Sequence, residues 1–151
     1  RNKKPQNYYW LFSQFPIQAI GGRIRFMDYY KGIIIEESLE NKEVIGKVKI
    51  ISTKVEKVTA EHKTPWLSQW TLRTVEIPES EVTDIAEEIS QSIDREHGGS
   101  WYADFKNTQY HFVIFRSKVF KIDLNNSENG YEAAKKYGAG IGIPEHQLDF
   151  D

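Results

Sequence analysis

Apolar and polar positions alternate with a period of about two through residues 99–123, the signature of strands with one buried face. The alternation predicts a meander of three short strands, 101–106, 110–115 and 119–123, bent at Asn107-Thr108 and Ser117-Lys118. Upstream, the pattern predicts strands at 8–13 (Tyr8, Trp10 and Phe12 on one side), at 23–26, at 31–37 around Ile33-Ile34-Ile35, and at 66–77. A further strand over 47–59 loses its alternation at Ile50-Ile51, which predicts a bulge there. Val82, Ile85, Ala86, Ile89 and Ile93 recur at helical spacing and predict a helix over 79–97, with acids in its first turn and Gly98-Gly99 beyond its end. A weaker helix is predicted over 128–140. It carries Gly130, Gly138 and Gly140, and Tyr131, Ala134 and Ile141 are its inward positions.

These elements predict an α+β protein. A mostly antiparallel sheet carries both helices on one face, residues 66–151 take a ferredoxin-like layout, and the N-terminal strands extend the sheet. Residues 1–7 read as a flexible tail and 8–151 as a single domain, with a subdivision into 8–60 and 66–151.

The meander can be registered residue by residue. A two-residue turn at Asn107-Thr108 pairs Asp104 with His111 on one face and Ala103 with Phe112 on the other. For the second turn, a two-residue loop would set Lys121 and Asp123 among Phe112 and Ile114. Burying charge is costly, so a three-residue loop, 116–118, is expected instead. That register flanks His111 with Asp104 and Asp123, and places Tyr102 and Lys121 one pair along on the same face. Three chemistries suit the cluster: a general base held in one tautomer by a carboxylate, a metal site, or a charge-compensated row on a polar sheet face. The row is the preferred reading, because opposite charges across strands are common stabilisers.

At 151 residues the chain is long enough to bury a core without staples, and it has no cysteine, so disulfides and thiolate metal sites are excluded. A chain without thiols fits a reducing compartment, and the cytoplasm is the expected location. A net charge of −2 gives no field that would gather nucleic acid or an anionic membrane, and no apolar run approaches the ~20 residues of a membrane span. Lys47, Lys49, Lys54 and Lys57 mark the 47–59 strand, but no aromatic side chains interleave with them as a nucleic-acid groove would need. Three Glu-His dipeptides, at His62, His97 and His146, match no ligand spacing and read as surface coincidence. No cofactor signature or phosphate-binding loop is found.

The C-terminal third runs from Trp101-Tyr-Ala-Asp-Phe through Lys118-Val-Phe-Lys-Ile-Asp123 to Gly142-Ile-Pro-Glu-His-Gln-Leu-Asp-Phe150. It resembles the ending of small bacterial proteins that share a Trp-Tyr start, a Lys-Val-Phe strand and a Gly-Ile-Pro-Glu close. The resemblance implies a bacterial or mobile-element origin and a compact α+β unit, and brings no activity and no functional residue with it.

The expected function is that of a bacterial accessory protein, a non-enzymatic module that binds a protein partner or itself. One alternative is a small metal-dependent or His/Asp hydrolase using His111 with Asp104 and Asp123. A second is nucleic-acid binding through the lysine-bearing strand 47–59.

Overall fold

The computed structural model describes residues 17–20, 23–26, 28–97 and 100–150. The flexible tail expected at 1–7, the strand expected at 8–13 and Gly98-Gly99 lie outside the described residues. Two short strands, β1 (Ile17–Ile20) and β2 (Arg23–Phe26), pair antiparallel. The main sheet is built from β3 (Tyr29–Ile35), β4 (Lys49–Lys57), β5 (Gln69–Pro78), β6 (Tyr102–Lys106), β7 (Tyr110–Phe115) and β8 (Lys118–Asp123). Its order is β4-β5-β3-β6-β7-β8, and every neighbouring pair is antiparallel. The two helices are α1 (Glu79–Ser92) and α2 (Glu128–Gly140), so the class is α+β.

β3 sits between β5 and β6, so β5 and β6 run parallel to each other and α1 crosses over between them. Gly32 lets β3 and β6 come this close. A Cβ there would collide with the Asp104 carbonyl and the Phe105 ring. β3 and β4, both from the first 60 residues, share one sheet with β5–β8.

The two helices lie on opposite faces of the sheet, not on one as the alternation suggested. Val82, Ile85, Ala86 and Ile89 of α1 pack with Ala103, Phe105, Phe112 and Ile114. Tyr131 and Ala134 of α2 pack with Val113, Phe115 and Ile122, whose side chains point the other way from the same strands. The tail of the chain closes this second core with Ile143, Leu148 and Phe150. Small residues allow the fit: a Cβ on Gly130 would come within 2.9 Å of Ile122.

The register explains the difference. β7 and β8 are joined by a two-residue loop, not three, with Ser117 in the left-handed region at φ 59°. Phe112 therefore faces Lys121 and His111 faces Ile122, which moves Phe120 and Ile122 to the α2 side. Lys121 escapes burial because β8 is the sheet edge: the side chain stays exposed and its ammonium lies 4.2 Å above the Tyr110 ring. The first turn is centred on Thr108-Gln109, one residue later than expected. The Asn107 side chain draws it there by accepting from the Gln109 and Tyr110 amides at 2.8 and 2.7 Å.

α1 ends at Ser92, short of the expected 97. Ile93 turns extended and bridges Leu39, and the Glu40 and Asp94 amides donate to Ser92 and Ser38 carbonyls, each at 2.8 Å. These tertiary bonds take over the helix end. The bulge in β4 falls where the lost alternation placed it, between Ile50 and Ser52. Among the described residues no helix is long and apolar enough to cross a membrane.

Candidate functional site

His111 is fully buried under α2. Its Nε2 lies 2.7 Å from Asp104 Oδ2 and its Nδ1 2.7 Å from the Tyr131 hydroxyl. A carboxylate only accepts, so Nε2 carries a proton and donates to Asp104, while Nδ1 shares a hydrogen bond with the Tyr131 hydroxyl. The bond to Asp104 is diagonal: Asp104 sits opposite Val113, and Lys106 sits opposite His111. Burial pushes the Lys106 ammonium below the usual lysine range, and the Asp104 carboxylate opposes that shift. The Asp104 side chain keeps 28% of its surface in contact with solvent, so water shares its remaining lone pairs.

Of the five residues grouped by the expected register, the structure joins only Asp104 to His111. Asp123 faces Tyr110 on the opposite side of the sheet and accepts the Asn125 amide at 2.9 Å. Lys121 also lies on that side. Tyr102 shares the His111 face, and its hydroxyl donates to the Gln147 carbonyl at 2.6 Å. Tyr131 is the partner that strand arithmetic left out, because it arrives from a helix. The expectation that His111 faces away from packed rings is corrected: Tyr131 sets its ring edge-on at 5.6 Å, within the second core.

This geometry ties α2 to the sheet. A general base must come within hydrogen-bond reach of the proton it removes, and here both ring nitrogens are engaged and no ring edge meets solvent. Two surface clefts, of about 460 and about 310 Å³, lie elsewhere. The larger is lined by Thr59, Lys63, Pro65 and Leu67, the smaller by Glu37, Glu40, Trp66, Asp94 and His97. In the smaller cleft His97 stacks on Trp66 at 4.2 Å and bonds Asp94 at 2.6 Å. His62 accepts the Thr59 amide at 2.9 Å and so caps a short turn. Among the described residues, no three His, Asp or Glu side chains gather closely enough to hold a metal ion.

A different feature is open to solvent. Among the described residues β4 is an edge strand of the six-stranded sheet, and of its nine residues only Glu56 is even partly buried. Ile50, Ile51 and Val55 are 41, 46 and 58% exposed. The direction of the backbone groups follows from one bond. The Val58 amide donates inward to the Ser68 carbonyl at 3.0 Å. Groups alternate along a strand, so Lys54 and Glu56 also point inward to β5, while the N–H and C=O of Thr53, Val55 and Lys57 point outward. The lysines of this region are largely compensated: Lys47 pairs with Glu88 at 2.7 Å, Lys49 with Glu76 at 3.1 Å and Lys54 with Glu56 at 2.7 Å. The sequence marked β4 as a strand, but its place at an edge follows only from the strand order. Comparison with protein-family models, curated proteins and solved structures gives no match to this chain.

Proposed function

We propose that this protein is a non-enzymatic interaction module that binds an extended protein segment along β4. The observation behind this reading is the long, solvent-facing edge that carries Ile50, Ile51 and Val55. Proteins usually blunt such edges, because a row of unpaired amides and carbonyls pairs with any passing strand. The opposite edge, β8, is six residues long against nine, and its apolar side chains Val119, Phe120 and Ile122 are partly or fully buried where those of β4 are exposed. At β4, main-chain bonds from Thr53, Val55 and Lys57 would supply affinity, and the alternating side chains would select the partner. The closure of His111 and the paired lysines favour this reading over a hydrolase or a nucleic-acid groove.

Proline at position 55 tests it. The Val55 amide points outward, so Val55→Pro removes a docking donor without breaking the β4–β5 ladder. Linear peptides selected from a display library against the wild type are expected to lose binding to Val55→Pro, with thermal stability unchanged within about 1 kcal/mol. Peptides that bind both proteins equally would refute the assignment.

A further inference from the structure

We propose that the strand received by β4 is β4 of a second copy of this chain, laid antiparallel about a two-fold axis at Val55. The inference rests on the reading of β4 as a docking edge and names its occupant. A two-fold axis perpendicular to the sheet passes midway between the two copies of one residue and sets its neighbours opposite one another in a fixed order. An axis at Lys54 opposes two ammonium groups, and one at Glu56 opposes two carboxylates. An axis at Thr53 sets Lys49 against Lys57 and carries the ladder into the bulge at Ile51. The axis at Val55 avoids all three faults.

There, Lys54 of each copy faces Glu56 of the other, Thr53 faces Lys57, and the two Val55 side chains meet. Lys54 and Glu56 already lie in one row on one face, with their own contact at 2.7 Å, so the same charges serve across the boundary. The outward backbone groups agree with this register. Val55 faces Val55 and Thr53 faces Lys57, and these are the residues whose N–H and C=O point away from β5, so each such pair exchanges both of its bonds. The ladder stays within 53–57, clear of the bulge, and two six-stranded sheets become one continuous sheet.

A contact of one short strand per copy falls below the area of tight complexes, so association is expected at about 100 µM protein and not at about 1 µM. Sedimentation velocity across that range reads it. Lys54→Glu alone and Glu56→Lys alone each place like charges opposite each other twice, and each should weaken dimerisation by about tenfold. The double variant Lys54→Glu/Glu56→Lys restores the complementarity and should recover wild-type association. The Lys54 side chain is exposed and that of Glu56 partly so, and unchanged thermal unfolding verifies the fold of each variant. Single variants that dimerise like wild type, or a double variant that stays as weak as the singles, would overturn the register. A wild type that stays monomeric at the highest concentration, while displayed peptides still require the Val55 amide, would overturn the second-copy assignment and leave the docking edge standing.

Discussion

Replacing His111 with phenylalanine keeps a planar ring in the second core and removes both nitrogens. The bond to Asp104 is charge-assisted and contributes about 1.5–3 kcal/mol, and the bond with Tyr131 about 0.5–1.5 kcal/mol. Asp104 is 28% exposed, so water reclaims part of the first loss, but the Tyr131 hydroxyl is left beneath α2 with its bond to Nδ1 gone. His111→Phe should therefore destabilise the protein by about 2–3 kcal/mol, or roughly 4–12 °C in Tm for a chain of this size. Urea and thermal unfolding measure it. Tyr131→Phe should cost about 1 kcal/mol in the wild type and less in the His111→Phe background, because the bond between the hydroxyl and the imidazole is already gone. A His111→Phe protein as stable as wild type, or more stable, would refute the reasoning. It would mean the imidazole is held at the expense of the fold, as a group kept for chemistry is.

Burial and, next, the Glu79 carboxylate push the Tyr30 phenol from 10.0 up to about 12. A raised folded value stabilises fully below the unfolded one, so this contribution should persist to about pH 10 and disappear toward pH 12; phenolate absorbance should rise with unfolding, and Tyr30→Phe should remove that coupling. Gly32→Ala forces a methyl group against the Asp104 carbonyl and should cost about 3 kcal/mol, read by urea denaturation, with an unperturbed stability contradicting the close β3–β6 approach. Asp123→Ala removes only the bond to the Asn125 amide and should cost about 1 kcal/mol, leaving the His111 ring resonances unshifted in NMR spectra; a shift would return Asp123 to the cluster.

The sequence showed what local chemistry controls. Isoleucine-rich β3, the α1 stripe from Val82 to Ile93 and the lost alternation at Ile50-Ile51 each carry their own signal, and each lies within or at the end of the expected element. The errors arose where distant contacts decide. α1 stops early because Leu39, far away in the chain, captures Ile93. Lys121 escapes the cost of buried charge because β8 ends the sheet, and the chain carries no local mark of which strand does so. The shorter loop reversed the side-chain faces of β8, which parted Asp123 from His111 and sent α2 to the other face of the sheet. The contact between Asp104 and His111 survived because the register of β6 moved by two, which preserves the face. The exposed edge was invisible for the same reason as Lys121: exposure of Val55 depends on what lies beside β4 and not on β4 itself.

Amide hydrogen exchange along β4 tests the central claim most directly, read in dilute protein and again with a selected peptide or concentrated protein docked. The account predicts that the amides of Lys54 and Glu56, bonded inward to β5, and of Val58, bonded to Ser68, are protected throughout, and that those of Thr53, Val55 and Lys57 exchange freely when dilute and become protected on docking. A Val55 amide already protected in the dilute protein, or one still exchanging freely when the partner is bound, would contradict it.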